Sequence, residues 1–284
     1  MTDSFPFTDL AVNLAVAGAA ALAVMLVTFG IALVVGKHRV VDTAWGLGFV
    51  AVALVTCCLS VGYGDDPRRL LVTVLTVVWG LRLAVYIAAR GWGQPEDPRY
   101  DQLLTRAPGN RTLRAFLLIY LTQGVCLWII SLPIQVAAYE SAPLNWLSYL
   151  GVALWAVGFG FESVGDWQLA RFKARRARGE TTKTVMNTGL WRYTRHPNYF
   201  GDACVWWGMF LLACGHWVGL LTVLAPLLLN YVIVARTGKK LLEEHLSARG
   251  PEYREYVERT SGFFPLPSRH LLKSQYLLKS RRRG

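Results

Sequence analysis

Residues 10–36 read LAVNLAVAGAAALAVMLVTFGIALVVG, an uncharged run of apolar and small residues. A helix rises about 1.5 Å per residue, so about 20 such residues cross a bilayer core of roughly 30 Å. Comparable runs cover residues 44–63, 70–89, 115–138 and 143–164. A longer uncharged block reaches residue 235, and the Gly215-His216 pair divides it into runs at 203–214 and 217–235.

These runs predict an all-α integral membrane bundle of about seven transmembrane helices. No linker separates them, so we expect one membrane domain over residues 1–284, with a cytoplasmic helical tail at residues 236–284. Hydrophobic residues make up 54% of the chain and charged residues 17%. This composition excludes a soluble globule and a disordered chain.

Basic residues predict the orientation of the bundle. With the N-terminus outside, 27 of the 30 Lys and Arg residues lie on cytoplasmic segments. Such a bias is the usual mark of the cytoplasmic side, so we expect a multi-pass protein of the inner (plasma) membrane with a cytoplasmic C-terminus. The net charge of +12 is then explained by anionic membrane lipids, and we expect no nucleic-acid partner. No obligate protein partner is indicated.

Cysteine and histidine positions argue against a metal site. The five cysteines are scattered through apolar runs without a CxxC pair, and the five histidines lack metal-ligand spacing. We therefore expect neither a disulfide framework nor a bound metal.

The richest polar motif is NTGLWRYTRHPNYFGD, residues 187–202. Pro197 suits the first position of a helix, because its backbone angle is already helical. Asn198 and Asp202 are then four residues apart and share a helix face. Arginines and aromatics are common at a membrane interface, but that tendency does not account for Asn198 and Asp202 at the start of an apolar run.

This motif, followed by WWG, resembles the cytoplasmic signature of membrane steroid and sterol reductases, especially those of the sterol C14-reductase type. The chain is also similar to a bacterial membrane family of unassigned function that is named for its likeness to steroid 5-alpha-reductases. The stretches VVDTAWGLGFV (40–50), WGLRLAVYIAARGWGQPEDPRYDQL (79–103) and EEHLSARGPEYREYVERTSGFFP (243–265) carry this resemblance. It covers roughly residues 35–267.

The resemblance implies a membrane oxidoreductase that transfers hydride from NADPH to a C=C bond of a lipophilic substrate, which is steroid-, isoprenoid- or fatty-acyl-like. NADPH would lie at the cytoplasmic ends of the last helices. Arginine suits its phosphates because the planar guanidinium binds them through two hydrogen bonds. The implied cofactor-binding residues are Arg175, Arg176, Arg195, His196, Asn198, Tyr199, Asp202, Glu243 and Tyr256.

The same RHPxYxG pattern with a Glu-Glu pair also resembles membrane methyltransferases. Those enzymes use S-adenosylmethionine, and their acceptor would be a lipid or a prenylated thiol. The Glu243-Glu244 pair fits both families, so the sequence leaves both cofactors open.

Charged residues inside the apolar runs complete the expected site. Arg82 lies within the third run, where a charge costs about 2.5–3.5 kcal/mol and requires a partner. Asp42, Glu162 and Asp166 are candidate partners. Saturation of a double bond also needs a proton donor, for which an acid or a tyrosine is suited. We expect Asp42 and Tyr86 to be catalytic, and Trp45, Arg82 and Glu162 to contact the substrate.

Overall fold

The computed structural model describes residues 5–105, 109–233 and 250–267. These residues are all-helical, with an isolated bridge between Thr194 and Ser261 in place of any strand. The predicted all-α class is therefore confirmed. The helices are α1 (Phe7–Val35), α2 (Val40–Leu59), α3 (Asp66–Gly91), α4 (Pro98–Thr105), α5 (Arg111–Ala137), α6 (Trp146–Ala177), α7 (Pro197–Ala213), α8 (Trp217–Tyr231) and α9 (Pro251–Arg259).

Five of these helices are long and apolar enough to cross a membrane, namely α1, α2, α3, α5 and α6. The predicted sixth and seventh spans correspond to α7, with 17 residues, and to the shorter apolar α8. The count of seven therefore stays a prediction. Of the predicted tail, residues 250–267 are described, and they contain α9.

Helix α6 extends well beyond the predicted span at residues 143–164. It has 32 residues, which is about 48 Å of helix, and its last turns carry Arg175 and Arg176. Ala, Arg, Lys and Gln are good helix formers, so the charged sequence after the apolar run continues the helix. Gly179 follows the helix with a φ of 73°, in the left-handed region that favours glycine.

The chain divides into two compact units, Met1–Gly151 with Met209–Leu228, and Val152–Gly208 with Leu229–Gly284. In the first unit α2 packs closely on α1 and α3. A glycine pair lies where α2 crosses α3, because a Cβ on Gly80 would lie 2.7 Å from the carbonyl oxygen of Gly46. Small residues at such crossings let two backbones touch.

Polar side chains join three helices inside the first unit. The amide of Asn13 donates to Thr56 Oγ1 at 3.3 Å and to Gln135 Oε1 at 3.2 Å. All three side chains are buried, so these hydrogen bonds link α1, α2 and α5 within an apolar interior. Interhelical hydrogen bonds of this kind stabilise membrane bundles by about 0.6–2 kcal/mol each.

Arg68, near the start of α3, fastens several chain segments of the first unit. Its guanidinium is fully buried and donates to the carbonyl oxygens of Leu212 at 2.5 Å, Ala142 at 3.1 Å and Pro143 at 3.0 Å. Leu212 lies in the last turn of α7, where carbonyl groups lack helical partners. Arg68 therefore donates hydrogen bonds to backbone carbonyl groups that have few other possible donors.

In the second unit, glycines also set the crossing of α6 and α7. A Cβ on Gly201 would lie 2.5 Å from the carbonyl oxygen of Gly158, and a Cβ on Gly158 would lie 2.6 Å from the backbone nitrogen of Val205. Gly160, two residues further along α6, would meet nothing within 4 Å. Close packing at the Gly158-Phe159-Gly160 sequence is thus carried by Gly158.

Gly158→Ala is expected to lower the unfolding temperature of the purified protein, because the new methyl group must separate two backbones. Overpacking of this kind costs about 1–3 kcal/mol. Gly160→Ala is the matched control, and it should be neutral or slightly stabilising because alanine favours a helix more than glycine. Thermal unfolding in detergent measures both variants, and equal unfolding temperatures would refute the crossing as described.

Candidate functional site

The polar motif at residues 187–202 forms a turn that leads into α7. A short 3-10 turn, Gly189–Arg192, comes first, and α7 begins at Pro197 as the sequence predicts. Gly189 has a φ of 62°, a conformation that other residues rarely adopt. A Cβ at this position would also overlap the amide end of the Gln168 side chain, so a larger residue would have to displace that side chain.

Hydrogen bonds at Leu190 and Trp191 hold the start of this turn in the second unit. Trp191 Nε1 donates to the carbonyl oxygen of Gly165 at 3.0 Å, and the backbone N–H of Leu190 donates to Gln168 Oε1 at 3.0 Å. From α9, the hydroxyl of Tyr256 donates to the carbonyl oxygen of Trp191 at 2.5 Å. The turn is therefore fixed both to the end of α6 and to α9.

Several titratable side chains around this turn are buried. Glu162, Asp166, Arg195 and His196 are at most 9% exposed. The His196 ring stacks on Tyr199, with ring centres 5.1 Å apart and planes 7° apart. Buried charges are costly unless they are paired, so a cluster of both signs in an apolar setting is typical of functional sites. Asn198 and Asp202 are half-buried beside it at the start of α7.

The end of α6 presents exposed basic side chains. Arg175 and Arg176 lie in its last turn, where the helix dipole favours positive charge. The Nε atoms of Arg178 and Arg175 lie 2.5 Å and 3.5 Å from the carboxylate oxygens of Glu180. The hydrogen bond from Arg178 lowers the pKa of the Glu180 carboxyl. These pairs are solvent-exposed and contribute little to stability. The basic end is thus available to an anionic ligand.

The hydroxyl of Tyr256 is already used in a hydrogen bond that holds the fold. Its side chain is buried, and burial together with the neighbouring Tyr253 raises its pKa, so the hydroxyl stays a donor to the Trp191 carbonyl. Glu243, the other predicted residue from this region, lies outside the described residues.

The predicted catalytic residues lie in the first unit. The Asp42 carboxylate accepts from the Tyr100 hydroxyl at 2.5 Å and from Arg99 Nη2 at 3.2 Å. Tyr86 lies elsewhere on α3, where the guanidinium groups of Arg82 and Arg90 lie 5.4 Å and 5.9 Å from its ring centre. Trp45, one turn after Asp42, packs edge-on against Phe49 at 5.5 Å.

Sequence reasoning missed the group that surrounds Asp42. Burial and then the Asp42 carboxylate raise the pKa of Tyr100, so this hydroxyl remains protonated. Burial works to lower the pKa of Arg99, but hydrogen bonding to Asp97 and the charge of Asp42 outweigh it and raise that pKa. The sequence EDPRY at residues 96–100 contains the acidic and basic residues of this group. The periodicity of the helices does not show that this segment folds back onto α2.

The side chain of Glu96 attaches the segment at residues 96–100 to the start of α2. Its carboxylate accepts from the backbone N–H of Arg39 at 2.9 Å and from that of His38. A carboxylate at a helix N-terminus satisfies free N–H groups and complements the helix dipole. His38 also meets the hydroxyl of Tyr120 at 3.1 Å, and burial lowers the pKa of its ring against the opposing charge of Glu96.

Tyr120 is presented by an irregular part of α5. Residues Phe116–Leu121 form a π-helix, and the Thr122 hydroxyl donates five residues back to the carbonyl oxygen of Leu117 at 3.0 Å. Single π-helical turns often occur at functional sites. Among the residues that the structure describes, no three His, Cys, Asp or Glu side chains are grouped to hold a metal ion.

Comparison with known proteins gives a family but no activity. A family described as a protein of unknown function (DUF1295) matches residues 28–260. An uncharacterised protein of Schizosaccharomyces pombe, C594.04c, is 24% identical over 269 residues, which cover 84% of this chain and 76% of the yeast protein. No solved structure matches. The family match includes both the turn before α7 and the group around Asp42.

Proposed function

The chain belongs to the DUF1295 family, and from the site described above we propose that it is a membrane oxidoreductase that transfers hydride from NADPH to a C=C bond of a lipophilic substrate. The substrate is steroid-, isoprenoid- or fatty-acyl-like. The protein would lie in the plasma membrane with its N-terminus outside and its C-terminus in the cytoplasm. The likeness of RHPNYFGD to the sterol reductases supports this proposal.

One observation carries the proposal. A single compact unit contains the buried pair Arg195 and His196 and also the exposed basic end of α6. NADPH needs both of these features. Its phosphates need several cations near water, and its nicotinamide needs a shielded place that is lined with polar groups. Residues 165–195 contain eight Lys and Arg residues against two acids, which favours a polyanionic ligand.

The residues present fit such a ligand. Arg175 and Arg176 would hold phosphate groups, since both are exposed arginines at a helix end. Asn198, Asp202 and the stacked His196–Tyr199 pair would hold the nicotinamide and its ribose. When bound, NADPH supplies the hydride, and the protein must supply the proton.

Asp42 is our candidate for proton supply. Tyr100 holds one oxygen of its carboxylate and Arg99 holds the other, so the orientation of the group is fixed. Protonated Asp42 would give its proton to the substrate carbon and become the carboxylate to which Tyr100 and Arg99 donate, and the raised pKa of Tyr100 keeps its hydroxyl a donor to that carboxylate. A positioned acid or base of this kind contributes about 10²–10⁴-fold to a rate.

Methyl transfer is the second candidate function. Glu162 and Asp166 are buried in α6, four residues apart, and acids suit the positively charged sulfonium of S-adenosylmethionine. That ligand does not require the basic end of α6, which is why we favour NADPH. Its acceptor would be a lipid or a prenylated thiol.

Binding of the two cofactors tests these alternatives. We expect the full chain in lipid nanodiscs to bind NADPH, with a change in its fluorescence and a higher unfolding temperature, and to respond weakly to S-adenosylmethionine. Asn198→Ala should weaken NADPH binding about tenfold, the effect of one lost hydrogen bond. Asn187→Ala, the same change in the preceding turn, is the control. A response to S-adenosylmethionine alone would overturn the assignment.

A further inference from the structure

Residues 260–267, which we term the C-terminal strap, run beside the segment that precedes α7. The backbone N–H of Arg195 donates to the carbonyl oxygen of Ser261 at 2.9 Å, and the two segments form a parallel bridge at Thr194 and Ser261. Further along, the N–H of Leu266 donates to the carbonyl oxygen of Tyr193 at 3.0 Å. The strap therefore binds the backbone on both sides of Thr194.

The Thr194 hydroxyl connects the strap to His196. It is fully buried, donates to the carbonyl oxygen of Phe263 at 2.8 Å and accepts from the backbone N–H of His196 at 3.2 Å. One hydroxyl thus joins the strap to the residue whose ring stacks on Tyr199. A shift of the strap would move the backbone of His196 and leave a buried hydrogen-bonding group without its partner.

Aromatic packing gives a second, independent connection. Phe263 and Phe264 lie against Phe200, with ring centres 6.2 Å and 6.3 Å apart, and Phe200 also packs edge-on against Phe161 at 4.9 Å. Phe200 lies one helical turn after His196 on α7. The strap therefore touches the segment before α7 and the first turn of α7 itself.

We propose that docking of the C-terminal strap is coupled to ligand binding at Arg195 and His196, with Thr194 as the positioning residue. This inference rests on the proposed function, because the ligand used to test it is NADPH. Coupling between two sites is reciprocal, so a strap that is held in place raises the affinity for the ligand, and the bound ligand holds the strap. The strap then acts as a device that can regulate the site.

Two matched pairs of variants test the coupling in the full chain. Thr194→Val removes the hydroxyl while keeping the shape, and Thr194→Ser keeps the hydroxyl. Leu266→Pro removes the N–H that donates to Tyr193, and Leu266→Ala keeps it. We expect Thr194→Val and Leu266→Pro to raise the Kd for NADPH roughly tenfold each, and the two controls to change it less than about twofold.

Hydrogen exchange provides the reciprocal measurement. Saturating NADPH should slow amide exchange in residues 261–266 of the parent, and much less in Thr194→Val. If the parent binds NADPH and all four variants bind it equally, the strap is only a structural support and the inference fails. If the parent does not bind NADPH, the proposed function itself has failed, and this inference fails with it.

Discussion

Arg68→Met is expected to destabilise the first unit strongly. The change removes the donors of three carbonyl groups, and each buried group left without a partner costs about 1–3 kcal/mol. Methionine fills much of the same volume, so the loss of stability would come from the missing hydrogen bonds more than from a cavity. We expect an unfolding temperature at least about 10 °C below that of the parent, or loss of the protein from the membrane fraction.

Arg69 offers a control one residue away. It is also buried, but its Nε and Nη1 atoms make no hydrogen bond to the described residues, and its Nη2 pairs with the exposed Asp66 at 3.0 Å. Replacing a poorly satisfied buried charge with an apolar residue is often neutral or stabilising. Arg69→Met should therefore unfold close to the parent temperature. Equal losses in the two variants would show that the bonds of Arg68 are not the cause.

Asp42→Asn should abolish most of the proposed reduction while leaving cofactor binding intact. The amide has nearly the same size and still offers one oxygen acceptor, but it does not exchange a proton at neutral pH. We expect the turnover rate to fall about 10²–10⁴-fold. Rates of NADPH consumption and the Kd for NADPH, measured on the same preparation, separate loss of turnover from loss of binding.

Asp97→Asn is the matched control for this change. Asp97 also accepts hydrogen bonds from Arg99, at 2.9 Å and 3.0 Å, and these bonds outweigh burial and lower its pKa. As a supporting carboxylate it should affect turnover by less than about tenfold. A similar rate loss in both variants would assign the effect to the Arg99 network, and an active Asp42→Asn would remove Asp42 from the mechanism.

Local sequence patterns predicted the helices well because membrane helices depend on composition and length. The runs at 10–36 and 70–89 lie within or close to α1 and α3, and the turn at Gly215-His216 separates α7 from α8. The end of α6 was missed, because hydropathy marks where a helix leaves the membrane and not where it stops.

Tertiary contacts explain what the sequence did not reveal. Asp42 meets Tyr100 and Arg99 across 58 and 57 residues, and no periodic pattern predicts which loop folds back over such a distance. The strap is similar, because its bonds to Tyr193 and Arg195 use backbone groups that every residue carries. By contrast, the motif at residues 187–202 was recognisable because its chemistry is concentrated in one short stretch.

Transfer of deuterium from labelled NADPH to lipid tests the central claim most directly. The full chain in nanodiscs is incubated with a lipid extract and NADPH deuterated at C4, with each stereoisomer used separately, and the lipids are analysed by mass spectrometry. We expect a lipid that gains one deuterium and one hydrogen with one of the two stereoisomers, and at least about 100-fold slower formation of that product with Asp42→Asn. Lipids that stay unlabelled, while S-adenosylmethionine carrying a labelled methyl group marks a product, would contradict it.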